Sequence, residues 1–145
     1  MKGKSDARAV LVSACLAGEA CRYDGSASPN AVVLDLLARG LAVPVCPEVL
    51  GGLPTPREPM ELRGGRVLGR SGLDCTEAFA AGARRALEIC REHGCASAIL
   101  KARSPSCGCG RVYDGGFCGR LVSGDGVFAA LLKAAGIPVR TEEDL

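Results

Sequence analysis

Four short apolar runs punctuate the chain: Ala9–Ser13, Leu41–Val45, Ala98–Leu100 and Ile137–Val139. None alternates with polar residues, so each reads as a strand buried on both faces, the habit of a parallel sheet. Helical spacing fills much of the sequence between them. Ser28 and Pro29 look like an N-cap and first helical position, followed by Val32, Val33, Leu36 and Leu37 on one face and a stop at Gly40. The strongest helix begins at Asp74, with Glu77 three residues later as a capping box. Phe79, Ala83, Ala86, Leu87 and Cys90 form its apolar face up to Gly94. Asp125 caps a last helix that runs through Leu131 and Leu132 to Gly136. Met60–Leu68 reads as a hairpin about Gly64-Gly65, and the glycine-rich segment Tyr113–Gly119 as a second one.

Buried strands alternating with helices argue a parallel sheet with right-handed crossovers. The expected fold is α/β: a single domain over residues 1–145, Rossmann-like, with a mostly parallel sheet of about four strands, helices on both faces and small hairpin insertions. A length of 145 residues suits one such domain. At 48% hydrophobic and 23% charged residues, the chain is neither disordered nor collagen-like. No stretch is long enough to span a bilayer as a helix. A net charge of +2 and 3% aromatics offer little to a nucleic-acid strand, so neither a membrane nor stable nucleic-acid binding is expected. No Gly-x-Gly-x-x-Gly follows a strand, and no Walker-type Gly-Lys-Ser/Thr occurs, which weakens a nucleotide-binding reading.

Cysteine is the abnormal quantity. Nine cysteines cannot all pair within one chain, and the sequence between them is ordinary core-forming Leu, Val and Ala. A cytoplasmic location, where thiols stay free to bind metal, is therefore expected. Val12-Ser13-Ala14-Cys15, behind Lys2, Lys4 and Arg8, mimics a lipoprotein cleavage site. However, the apolar run Ala9–Ala14 is only about six residues, short for a signal segment, and Asp6 lies just upstream.

Ligands of open α/β sheets bind beyond the carboxyl ends of the strands. Cys15, Cys46 and Cys107 fall there, each after a different strand. No Cys-x-x-Cys pair of the zinc-module type occurs, and His93, the only histidine, lies at a helix end. Soft thiolates without histidine favour an iron–sulfur cluster. The competing reading makes them buried thiols acting as small hydrophobes. Cys75, Cys90 and Cys95 read as core or incidental. Cys21, Cys109 and Cys118 lie in loops that could reach the site and supply a fourth ligand or a redox-active thiol.

Several blocks occur in a recognisable order: Val12-Ser13-Ala14-Cys15-Leu16, Arg22-Tyr23-Asp24-Gly25, Pro44-Val45-Cys46-Pro47-Glu48, Gly51-Gly52-Leu53 with Pro56-Arg57, Leu100-Lys101 through Ser104-Pro105-Ser106-Cys107-Gly108, and Tyr113-Asp114-Gly115. Together they resemble the bacterial family typified by thiouracil desulfidase, from about Val10 to the C-terminus. The resemblance implies a 4Fe–4S cluster held only by Cys15, Cys46 and Cys107, leaving one iron not ligated by protein. It also implies a hydrolytic desulfuration without net redox change, in which a thiolated nucleobase or similar small thiocarbonyl compound loses sulfide. Glu48 and Ser104 occupy the positions that the resemblance marks as catalytic. Glu48 would act as general base toward water, and Ser104 as a hydrogen-bond donor to the substrate.

The bland alternatives are concrete. Glu48 could merely pair with Arg57 or Arg22, and Ser104 could be a turn hydroxyl beside Pro105. Arg22, Asp24 and Arg57 could fix loops or touch substrate. A non-enzymatic thiol or metal-binding module, such as a sulfur carrier or redox sensor, would need neither Glu48 nor Ser104.

Overall fold

Residues 8–145 are described by the computed structural model; Lys2, Lys4 and Asp6 of the signal-like segment lie outside them. In chain order the strands are β1 (Val10–Ser13), β2 (Ala42–Val45), β3 (Met60–Arg63), β4 (Arg66–Gly69), β5 (Ser97–Leu100), β6 (Arg111–Tyr113), β7 (Leu121–Ser123) and β8 (Val139–Thr141). The α-helices are α1 (Ala31–Ala38), α2 (Pro47–Leu50), α3 (Thr76–Glu92) and α4 (Val127–Ala134). Strands β2, β1, β5 and β8 form one parallel sheet in that order. The pairs β3–β4 and β6–β7 are separate antiparallel hairpins.

Successive strand side chains point to opposite faces, and the core divides accordingly. Leu11, Val45, Ala98 and Leu100 pack with Ala83, Ala86, Leu87 and Cys90 of α3 and with Phe128, Ala129 and Leu132 of α4. Their neighbours Val12 and Ile99 pack the other way, with Val33 of α1 and with Leu16. Helices therefore cover both faces of the sheet, as expected for this α/β fold. Met60, Val67, Cys75 and Phe79 join the first hairpin to α3 in a third cluster.

The helix starts differ from expectation for identifiable reasons. Asn30, not Ser28, caps α1, its side chain accepting from the amides of Val32 and Val33. Within α1 only Val33 is fully buried, while Val32 and Leu37 face outward. Asp74 does receive amide and hydroxyl bonds from Thr76, but the cap position is Cys75, so no Asp74–Glu77 box forms. Asp125 does not cap α4 either; its carboxylate accepts from Gly110 N and Lys133 Nζ. The first amides of α4 are met by carbonyls instead: Val127 donates to Pro105, and Phe128 and Ala129 to Ser106. The last strand begins later than Ile137, because Ile137 N closes the end of α4 on Leu132 O.

Candidate active site

The sheet order reverses beside β1: the chain moves outward to β2, then returns to the other side of β1 at β5. Such a reversal opens a crevice at the carboxyl ends of the strands. A cavity of about 550 Å³ lies there, lined by Cys15, Cys46 and Cys107 together with Glu48 and Ser104. Each reaches it by a local device. Cys15 sits in a 3-10 turn (Ala14–Ala17) directly after β1, ended by Gly18 at a φ of 94°. Cys46 is the N-cap of α2, and Pro47 fills the first helical position, where a missing amide costs nothing. This short helix replaces the simple break expected after β2, and it carries Glu48 in its first turn. Cys107 is held by a serine turn, in which Ser104 Oγ accepts from the amides of Ser106 (3.1 Å) and Cys107 (3.0 Å). Helix α4 then clamps that turn through the carbonyls of Pro105 and Ser106.

Among the described residues, no three His, Cys, Asp or Glu side chains gather as ligands of a single metal ion. The three thiols instead stand around a shared space. Burial pushes the Cys15 thiol up to about 11, with Lys101 and Arg22 pulling the other way. Burial also pushes Cys107 up to about 12, against hydrogen bonds from the Ser13 and Ser106 hydroxyls. Cys46 and Cys21 are neighbours, and Cys46 Sγ lies 3.9 Å from the Cys21 carbonyl oxygen. Of the two, Cys46 gives up its proton first, held near 7 by the Cys21 thiol, the Val49 amide and Arg57 despite burial. The same hydrogen bond, with burial, drives Cys21 upward.

Glu48 is buried and doubly anchored. Arg57 Nε donates to its Oε1 at 2.9 Å, and Ser106 Oγ donates to its Oε2 at 2.8 Å. Ser106 Oγ is also 3.0 Å from Ser104 Oγ, so one chain of hydrogen bonds joins Ser104, Ser106, Glu48 and Arg57. Both bland alternatives are thus real contacts: Glu48 does pair with Arg57, and Ser104 does close a turn. Neither exhausts its residue. Each carboxylate oxygen of Glu48 keeps a lone pair, and the Ser104 hydroxyl, donating to Ser106 Oγ, lines the cavity where it can turn to another acceptor.

Arg57 does more than pair with Glu48. Its guanidinium also donates to the carbonyls of Pro54 and Cys21 and to Thr55 Oγ1, and its amide to Tyr23 O. It ties the cysteine loop, α2 and the proline-rich loop together. Arg22 lines the cavity, but Asp24 does not; it accepts from the Ser26 amide and hydroxyl and fixes its own loop. Cys21 lines the cavity, whereas Cys109 donates toward Val139 O and Cys118 is exposed outside it. Cys75, Cys90 and Cys95 are buried in core clusters. Ser106 and the hairpin residues Arg70, Tyr113 and Phe117 also line the site. Ser106 sits between Ser104 and Cys107 in the loop after β5, a position that flags it in the sequence; nothing in the spacing brings the hairpins to the sheet edge.

The family model described as 2-thiouracil desulfurase matches residues 10–144. An uncharacterized Bacillus subtilis (strain 168) protein, YbbK, is 43% identical over 94% of this chain and 97% of its own length. A solved structure described as the [4Fe-4S]-dependent thiouracil desulfidase TudS superposes with a TM-score of 0.90 at 46% identity. That match covers 95% of this chain and 93% of the other.

Proposed function

The chain belongs to the 2-thiouracil desulfurase family, and from that membership we propose that it is an iron–sulfur-dependent desulfidase that hydrolyses a thiolated nucleobase. The net reaction adds water to a thiocarbonyl compound and yields the carbonyl compound and hydrogen sulfide, with no change of oxidation state. One observation carries the reading: three thiols from three different strand ends line the same cavity as a buried carboxylate and a serine hydroxyl.

The donor set suits a 4Fe–4S cube. It is all thiol, and a cube offers a different iron to each ligand, so the sulfurs need not meet at one point. Cys15, Cys46 and Cys107 would hold it, each as the thiolate. Lys101 and Arg22 favour that form at Cys15, and the Ser13 hydroxyl favours it at Cys107. When bound, such a cluster supplies a Lewis-acidic iron without a protein ligand, to polarise the thiocarbonyl through its sulfur and accept the departing sulfide.

The remaining steps belong to the chain. Glu48 takes the proton of the attacking water through a free lone pair, while Arg57 and Ser106 fix the carboxylate against rotation. With the Ser106 proton committed to Glu48, Ser104 donates to Ser106 Oγ, and it serves the substrate by swinging that proton from Ser106 to the oxyanion as charge develops. Arg57 supplies the counter-charge that a carboxylate so poorly exposed to solvent needs.

The test is anaerobic reconstitution, iron and sulfide quantification, and a panel of thiolated bases. Near one cube per chain and sulfide release from at least one base are expected. A full cluster with no sulfide release from any of them would overturn the assignment.

A further inference from the structure

We propose that Phe117, backed by Arg70, is a specificity-determining wall of the cavity: a stacking surface for the flat ring of a heteroaromatic substrate. The identity of that ring rests on the desulfidase reading; the existence of the surface does not.

Aromatic residues are scarce in this chain, two Tyr and three Phe with no Trp. Phe79 and Phe128 are core residues, at 1% and 0% exposure. The other three, Tyr23, Tyr113 and Phe117, all line the cavity. Phe117 is half-buried, yet it belongs to none of the three apolar clusters. Packing of the core therefore does not explain its ring.

Its backbone deepens the question. Phe117 stands at a φ of 55°, a left-handed conformation that a bulky side chain rarely adopts. The conformation is imposed from outside. Glu61 Oε1 on β3 accepts from the amides of Gly115 (2.9 Å) and Phe117 (3.1 Å), pinning the loop to the first hairpin. The loop sits so close that a Cβ at Gly115 would come within 2.7 Å of Arg63 Cβ. A glycine at 117 would relieve the strain; a phenylalanine there retains it, which is the pattern of a residue kept for its side chain.

What that side chain offers is a flat, polarised surface. The Arg70 guanidinium lies over the Phe117 ring, 5.5 Å from its centroid, and both line the cavity. Rings and guanidinium planes stack on nucleobase-like rings with little dependence on their substituents. Such a wall would select for planarity, whereas Glu48, Ser104 and the group held by the three thiols would act on the thiocarbonyl.

The experiment uses the cluster-loaded protein with Phe117→Ala, Phe117→Gly and Phe117→Trp. Three quantities are read: melting temperature, KM and kcat for 2-thiouracil, and Kd for uracil. Loss of one stacking surface should raise KM and the uracil Kd about tenfold or more in the Ala and Gly variants, the loss falling on KM rather than kcat. The Trp variant should bind like the parent. The Gly variant, free of strain, should melt no lower than the Ala variant. Unchanged ring affinity in Phe117→Ala, with only a lower melting temperature, would make the ring a structural plug and overturn the proposal. Turnover with unchanged ring affinity sinks the wall alone. Ring binding that depends on Phe117 without any turnover sinks the desulfidase reading alone.

Discussion

Both carboxylate oxygens of Glu48 are engaged, and the balance between bracing and catalysis is decided by what a substitution leaves behind. Glu48→Gln can still accept from Arg57 with its oxygen, but its amide cannot take a proton. The variant should fold, keep its cluster and bind 2-thiouracil, while steady-state sulfide release falls by about 10²-fold or more. Equal release from parent and variant would return Glu48 to a role as partner for Arg57. Removing the arginine asks the opposite question. The pair is nearly shut off from solvent, so Arg57→Met leaves a buried carboxylate without its counter-charge. A loss of about 3–5 kcal/mol in urea unfolding is expected. The cysteines separate just as sharply. Cys15→Ser should bleach the cluster's visible absorption, whereas Cys21→Ser and Cys109→Ser should leave it largely intact. Loss of absorption in Cys109→Ser alone would point to an electron carrier or sensor.

Helices α2 and α3 touch through two glycines, and this contact places Glu48. A Cβ at Gly82 would fall 1.8 Å from Pro47 O, and one at Gly51 would fall 2.1 Å from Ala78 O. Glycine inside an exposed helix costs about 1 kcal/mol relative to alanine, so Gly82→Ala would normally stabilise. Here the sign should reverse, with a loss of about 1–3 kcal/mol from overpacking in chemical denaturation. Cluster occupancy should fall with it, because α2 carries Cys46 at its cap. Element by element, the first three sheet strands and the first hairpin were legible, because continuous apolar runs and Gly64-Gly65 have few other solutions; the last strand runs Val139–Thr141, and the second hairpin pairs Arg111–Tyr113 with Leu121–Ser123 around the expected glycine-rich segment. Helix α2 was not, because one four-residue turn leaves no periodicity to read. Cap assignments slipped by one or two residues for different reasons: a nearer side chain, Asn30, caps α1, whereas the carbonyls of Pro105 and Ser106 meet the first amides of α4. Asn30→Ala, which removes a cap the structure does contain, should cost about 1 kcal/mol in the same assay.

At the scale of the whole molecule, the parallel order β2-β1-β5-β8 converts three remote cysteines into neighbours of one cavity. That convergence was foreseeable, since strand ends and ligand positions are coupled in open α/β sheets. The wall built by the two hairpins was not foreseeable. It depends on Glu61 of one hairpin gripping the loop of the other, a contact between residues more than fifty positions apart. Low aromatic content argued against binding a nucleic-acid strand, and only the folded arrangement reveals that every Phe and Tyr outside the core lines the cavity. The proposed chemistry is hydrolytic: water supplies the oxygen, Glu48 takes its proton, and sulfide leaves with no net transfer of electrons. The measurement that decides this is turnover of 2-thiouracil by cluster-loaded protein in ¹⁸O-labelled water, without added oxidant or reductant. One labelled oxygen in each uracil formed, matched by an equal amount of sulfide, is expected. Uracil without the label, or turnover only when an electron donor is supplied, would contradict a hydrolytic desulfidase.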